Sequence, residues 1–460
     1  MVQYRFQDKG NIMLNKTDIL VIGAGSAGVV CALTAKKYYP DKRIVVMRNV
    51  EKGVIPCGIP YMIKSLKTPD ENVLSMTSLE KNGIKVIVDE AITVDRKNKT
   101  VECKSGKTYQ YEKLVFAVGS APILPLIPGI EKKGIYPIFK ELGYLTKAIE
   151  EIKRCKNVLI VGGGFIGIEF ADELSKIDGL NTYLVELLPN ILANSFDLEF
   201  STLAEDKLKA SGVKIFTGAK VLEFCGRDRV EKVKLSTGKD IEIDAVILGI
   251  GASPDTALAR KAGLDLGKGR GIWVDEYMRT IDSDIFAVGD CAGKRDFYTR
   301  KDIPVMLAST ATAEARIAGA NLYQLKVIRE NKGTIAIYST YIDGLVLGSA
   351  GLTENSARKE GFEIVIGQAS VKDKHPVTLP LASDIKVKLV FSRQSGILLG
   401  GQVAGGFSCG ELINLIGVAI QKRMSATELE TLQIATQPYL TSAPTMYPIV
   451  VAAQDAIRKI

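Results

Sequence analysis

The sequence predicts an α/β chain with two Rossmann-like dinucleotide-binding domains in its first 255 residues and a further C-terminal domain. Two observations carry the prediction. An apolar strand, a glycine-rich turn and a helix-like stretch occur in that order twice, in "TDILVIGAGSAGVVCALTAKK" and in "NVLIVGGGFIGIEFADELSK". A polar hairpin region and a returning apolar strand then follow each copy at a similar distance: Gly23 to Gly119 spans 96 residues, Gly162 to Gly251 spans 89. A chain of 460 residues also exceeds what one hydrophobic core supports.

Each motif has a geometric reason. In Gly23-x-Gly25-x-x-Gly28 the first glycine makes the tight turn, the second admits a pyrophosphate against the backbone, and the third lets helix pack on strand. The helix start, at Ser26, presents unpaired N–H groups and the positive dipole end to the phosphates. Gly162, Gly164 and Gly167 repeat the arrangement. After the second turn the strand "NTYLVELLPN" leads to Glu186, a carboxylate able to accept from both ribose hydroxyls and to repel a 2′-phosphate, which favours NADH over NADPH. The matching strand of the first domain, "RIVVMRNV", ends in Met47 and Arg48, so its nucleotide is expected to be held differently, with Arg48 as a candidate contact. The returning strands close at Gly119 in "FAVGS" and Gly251 in "GIGAS".

With these motifs in order, the chain resembles the flavoprotein pyridine nucleotide-disulfide oxidoreductase superfamily over residues 17 to 460. A further segment, "MRTIDSDIFAVGDCA", is similar to the family's second FAD fingerprint, and the resemblance places Asp290 on the ribityl chain of FAD. It implies FAD in the first domain, NADH in the second and a C-terminal α+β dimerisation domain, hence a homodimer. The expected division is 1–126 and 255–329 for the FAD domain (with 1–16 as an extension), 127–254 for the NAD domain, and 330–460 for dimerisation. One departure is Val118, where the family commonly has threonine.

The stretch "EKGVIPCGIPYMIKSL" sets Cys57 between two prolines and before a glycine, where the family carries its redox cysteine. A helix beginning at Pro60 and running through "YMIKSL" would put Cys57 just ahead of a helix N-terminus, favouring the thiolate. Gly58 would leave room for a flat flavin. Five residues on stands Met62, so no intrachain disulfide forms there, and Gln437 occupies the place of the histidine that the two-cysteine branch uses. The chain is thus similar to the single-cysteine branch: coenzyme A-disulfide reductases, NADH oxidases and peroxidases, and NADH-dependent persulfide reductases. Oxidases and peroxidases typically carry a histidine where this chain has Ser26, and its only histidine is His375. In "QPYLTSAPTMYP" the resemblance suggests Tyr439, then Tyr447, as a phenol supplied to the partner's cysteine. Cys31 and Cys291 read as packing residues, and Cys103, Cys155, Cys225 and Cys409 carry no motif.

The implied activity passes electrons from NADH through FAD to Cys57 held in a mixed disulfide or persulfide with a small-molecule disulfide, persulfide or polysulfide. An NADH oxidase reducing oxygen at the flavin is the first alternative, and a reductase of a small electron-carrier protein the second. Composition bounds the other classes. A net charge of +8 without basic runs interleaved with aromatics argues against nucleic acid as a partner. No apolar run reaches the ~18 residues of a membrane span, and the polar N-terminus is unlike a signal peptide. Cytoplasmic location and reduced thiols are the expectation for seven irregularly spaced cysteines, and no Cys-x-x-Cys pair suggests a metal. Residues 1–12, ahead of a second methionine, read as a short extension or an over-long start.

Overall fold

The computed structural model describes residues 14–329 and 333–459, so the segment 1–12 lies outside the described residues. Strands Ile19–Ile22, Ile44–Arg48 and Lys113–Phe116 are fully or largely buried apolar runs, as a parallel sheet covered on both faces requires. They form a five-stranded parallel sheet in the order Ile285–Ala287, Lys113–Phe116, Ile19–Ile22, Ile44–Arg48, Lys85–Val88. The edge strand Ile285–Ala287 comes from far along the chain, so this domain is split around an insertion. Helix Ser26–Tyr38 packs against helix Ala308–Ala320 through small residues. A Cβ at Gly319 would stand 2.6 Å from the Cys31 carbonyl oxygen, so close approach of the two backbones demands glycine there. Cys31 is fully buried in that contact, and Cys291 is buried under the same domain.

The insertion repeats the plan. Its parallel sheet runs Ile135–Pro137, Ala245–Leu248, Asn157–Val161, Asn181–Val185, Lys214–Phe216. Each domain also carries a small sheet from its polar hairpin region: Leu14–Lys16, Thr108–Gln110, Thr100–Cys103 and Ala91–Asp95 in the first, Val221–Cys225, Lys232–Leu235 and Asp240–Glu242 in the second. The returning strands exit into a shared two-stranded ribbon, Ser120–Pro122 antiparallel to Ala252–Pro254. At its ends Asp255 N donates to Gly119 O and Ile123 N to Gly251 O. Both glycines have φ in the left-handed region, +75° and +100°, which the turn into this ribbon uses.

The C-terminal domain is a five-stranded antiparallel sheet, Ile337–Ile342, Leu345–Gly351, Leu398–Gly405, Asp384–Ser392, Ile364–Lys372, backed by helices Cys409–Gln421 and Pro448–Ile457. It is tied to the inserted domain by a buried cation. Lys388, 3 % exposed, lies 3.0 Å from Asp197, 2.7 Å from Glu199 and 2.8 Å from Glu354, while Gln402 donates to Asp197 at 2.7 Å. Among the described residues no helix is long and apolar enough to cross a membrane.

One local expectation is corrected. The stretch after Cys57 is not an α-helix but two 3₁₀ turns, Pro56–Gly58 and Pro60–Met62. Past Pro60 the chain does not settle into the i→i−4 ladder of an α-helix. The bonds that form are of the tighter kind: Ile59 N to Pro56 O, Met62 N to Ile59 O, Ile63 N to Pro60 O.

Candidate active site

The two glycine turns are near copies in space. Gly23 and Gly162 have φ of +109° and +107°, and a Cβ on them would stand 2.1 Å from Ala117 O and 2.6 Å from Gly249 O. Gly28 and Gly167 are each held so that a Cβ would meet the carbonyl oxygen of the first glycine at 1.9 Å. Gly25 and Gly164 have nothing within 4 Å of a Cβ. The helices starting at Ser26 and Phe165 receive no side-chain cap at Gly25 or Gly164. Their first N–H groups therefore face open space with the helix dipole behind them, an arrangement that suits a pyrophosphate. The backbone thus fits a dinucleotide phosphate at each turn.

Glu186 stands at the end of strand Asn181–Val185. Its carboxylate accepts from Gly163 N at 2.6 Å and Leu188 N at 2.7 Å, which fixes it beside the glycine turn. Arg48 is buried at the matching place in the first domain, but its Nε donates to Val50 O at 2.7 Å. Asp290 lies in a 3₁₀ turn at Gly289–Cys291 and accepts from Ser120 Oγ at 2.7 Å. Lys140 Nζ donates to Ser120 Oγ at 2.9 Å and pairs with Asp290 at 3.4 Å.

Cys57 is the one exposed cysteine of the seven. Gly58 has a reason within the chain itself. A Cβ there would fall 2.0 Å from Asn72 Oδ1, so the glycine makes room for Asn72. Asn72, 3 % exposed, donates to Ile55 O at 3.0 Å and to Met62 Sδ at 3.3 Å, clamping the two turns around Cys57. The thiol is also shifted opposite to expectation. Burial pushes its pKa up, the charges of Glu169 and Asp290 push the same way, and Lys140 and the residue's own backbone N–H pull against them. The largest cause is burial of the sulfur, to which the charges of two acids add, and two short 3₁₀ turns supply little helix dipole to offset it.

Lys140, Glu169, Asn72 and Ser120 were not legible as site residues. Glu169 follows the second glycine motif in sequence, yet nothing in that motif says it faces Cys57. Burial lifts its carboxyl to about 7, against a hydrogen bond from Thr340 Oγ1 at 2.9 Å and with Asp172 adding to the rise. Tyr439 is 57 % exposed in the C-terminal domain, and it is not among the groups whose charges act on Cys57 of the same chain. Tyr447 is half-buried at the start of the last helix. His375 packs on the Tyr439 loop, its Nδ1 3.0 Å from Thr441 O and its N–H donating to Pro438 O.

Residues 17–315 match the family model of the pyridine nucleotide-disulphide oxidoreductases, and 337–447 match the dimerisation domain of the same family. The chain is 32 % identical to an NADH oxidase of Methanocaldococcus jannaschii over 96 % of this chain and 99 % of that protein. It is 31 % identical to an NAD(P)H coenzyme A polysulfide/persulfide reductase of Pyrococcus horikoshii over 85 % of this chain and 88 % of that one. Among solved structures, an NAD-dependent persulfide reductase from A. fulgidus superposes with a TM-score of 0.89 at 28 % identity, covering 96 % of this chain and 83 % of that one. A water-forming NADH oxidase from Lactobacillus brevis superposes at 0.87 and 26 %, covering 96 % and 98 %. The two glycine cradles, the second FAD fingerprint and the whole-length matches agree: the chain belongs to the pyridine nucleotide-disulphide oxidoreductase family, FAD-dependent enzymes that work with a pyridine nucleotide.

Proposed function

We propose that the chain uses NADH to reduce a low-molecular-weight disulfide, persulfide or polysulfide through Cys57. The observation that carries the reading is a single exposed thiol, clamped by Asn72 and ringed by Lys140, Glu169 and Asp290, with no second cysteine in its turn. The substrate supplies the second sulfur. The persulfide-reducing relatives support the same reading. When bound, FAD supplies two-electron transfer between nicotinamide and sulfur. The chain's own residues do the rest. The Gly23–Gly28 and Gly162–Gly167 turns would hold the two pyrophosphates and Glu186 the NADH ribose. Asp290, steadied by Ser120 and Lys140, would hold the ribityl chain. Lys140 favours charge on the sulfur. Arg48, Gly119 and Gly251 would line the nucleotide ends of their sheets.

The same reading takes the chain as a cytoplasmic homodimer with FAD, NAD and dimerisation domains divided at about residues 126, 254 and 329, and with Tyr439 of one copy serving Cys57 of the other. The matched dimerisation domain and the exposure of Tyr439 support it. A second reading, oxygen reduction at the flavin, is favoured by the resemblance to NADH oxidases. One experiment separates them. Under nitrogen, the holoenzyme should oxidise NADH with coenzyme A disulfide or polysulfide, and Cys57→Ser should lower that rate at least a hundredfold. NADH oxidation that requires oxygen and survives Cys57→Ser would establish the oxidase instead.

A further inference from the structure

Strand Ile285–Ala287 leads into the turn Gly289–Cys291 that carries Asp290, and a buried ion pair grips this turn. Lys294, just past the turn, and Glu314, on helix Ala308–Ala320, are 5 % and 2 % exposed and lie 3.3 Å apart. Both act on one residue. Glu314 Oε2 accepts from Gly289 N at 3.0 Å, and Lys294 Nζ donates to Gly289 O at 2.6 Å and to Ala292 O at 3.2 Å. Gly289 has φ of +75°, and a Cβ on it would stand 2.9 Å from the Cβ of Ala27. The turn is therefore pressed against the start of helix Ser26–Tyr38, beside the first glycine cradle.

The carbonyl of Gly289 and the N–H of Asp290 belong to one planar trans peptide. A cation on that carbonyl thus fixes the backbone from which the Asp290 side chain springs. A buried ion pair contributes little to stability beyond what apolar residues of the same volume would give, because both charges lose their water. What it has that apolar packing lacks is direction, since charge-assisted hydrogen bonds are short and aligned. The Asp290 carboxylate in turn accepts from Ser120 Oγ at 2.7 Å and pairs with Lys140 at 3.4 Å. Backbone and side chain of Asp290 are each held by protein groups.

We propose that Lys294 and Glu314 are positioning residues for FAD: together they hold both sides of Gly289 and set Asp290 in place before the cofactor binds. The proposal rests on the reading above of Asp290 as the ribityl contact. A site whose groups are already ordered loses less freedom on binding, so the pair contributes to FAD affinity although neither side chain is exposed.

The test is FAD release from the diluted holoenzyme, followed by the recovery of free-flavin fluorescence. In Lys294→Met/Glu314→Gln the two charges leave together, so neither is stranded; the Gly289 N–H keeps an acceptor and its carbonyl loses the lysine. Release should be about tenfold faster than in the wild type, as for the loss of one well-placed hydrogen bond. Asp290→Ala should also release FAD faster. Adding the double substitution to it should change the rate by less than about twofold, because the pair acts through Asp290. A double variant with the wild-type rate overturns the proposal alone, and so does an undiminished effect in the Asp290→Ala background, which marks a general loss of stability. Asp290→Ala releasing FAD at the wild-type rate overturns the reading of Asp290 and the proposal with it. A second measurement needs no variant. In the full wild-type chain stripped of FAD, hydrogen exchange resolved to single amides should find the Gly289 N–H about a hundredfold or more slower than an unprotected amide. Exchange at the unprotected rate once FAD is gone means that the cofactor orders the turn, and overturns the proposal.

Discussion

The second glycine turn assigns opposite consequences to two substitutions three residues apart. At Gly167 an alanine Cβ would stand 1.9 Å from Gly162 O, where real Cβ atoms keep beyond 3.0 Å, so helix Phe165–Ser175 must move outward by about an ångström or the strand must yield. Overpacking of this kind costs about 1–3 kcal/mol. At roughly 2–4 °C per kcal/mol for a unit of 150–250 residues, the melting temperature of Gly167→Ala should fall by about 2–12 °C. At Gly164 a Cβ meets nothing within 4 Å and φ is ordinary, so the fold should tolerate alanine with melting unchanged to within about 2 °C. The new methyl instead occupies the open face proposed for the NADH pyrophosphate, and KM for NADH should rise about tenfold, the equivalent of about 1.4 kcal/mol of lost binding. Thermal melts of the FAD-bound protein and NADH titrations measure both. A Gly164→Ala variant with wild-type KM, or a Gly167→Ala variant that melts with the wild type, would refute the cradle as described.

Three carboxylates surround buried Lys388, so Lys388→Met should cost about 3–5 kcal/mol at pH 7 by leaving them unpaired. Burial raises the Glu354 carboxyl, but hydrogen bonds from Lys388 and Arg358 hold it below its usual value. Its stabilisation is therefore present above the unfolded pKa and lost as pH falls through the folded one, and the gap between Lys388→Met and wild type should narrow below about pH 4. Denaturant melts from pH 7 to pH 3 check the sign: a gap that widens on acidification contradicts it. Around Cys57, Gly58→Ala and Asn72→Ala should each destabilise the loop by about 1–3 kcal/mol. The double variant should cost less than their sum, because removing the Asn72 amide frees the space the Gly58 methyl needs. Strict additivity in a double-mutant cycle would mean that Gly58 is kept for another neighbour.

What the sequence determined by itself is local in the chain. A glycine turn between strand and helix dictates its own backbone, so Gly23, Gly25, Gly28 and their twins at Gly162, Gly164 and Gly167 read directly as turns, and the structure builds them as matched pairs. The doubling of the fold was legible for the same reason, since repeated spacing implies repeated topology. The surroundings of Cys57 were not. Asn72, Lys140, Glu169 and Thr340 reach its neighbourhood from separate stretches of chain, and only the docking of the three sheets brings them there. The local reading of Cys57 failed where the chain past Pro60 took short 3₁₀ turns in place of the α-helix it assumed. Protonation at the sulfur is set by charges and burial that act through space, so it was decided by tertiary structure rather than by the residues beside it.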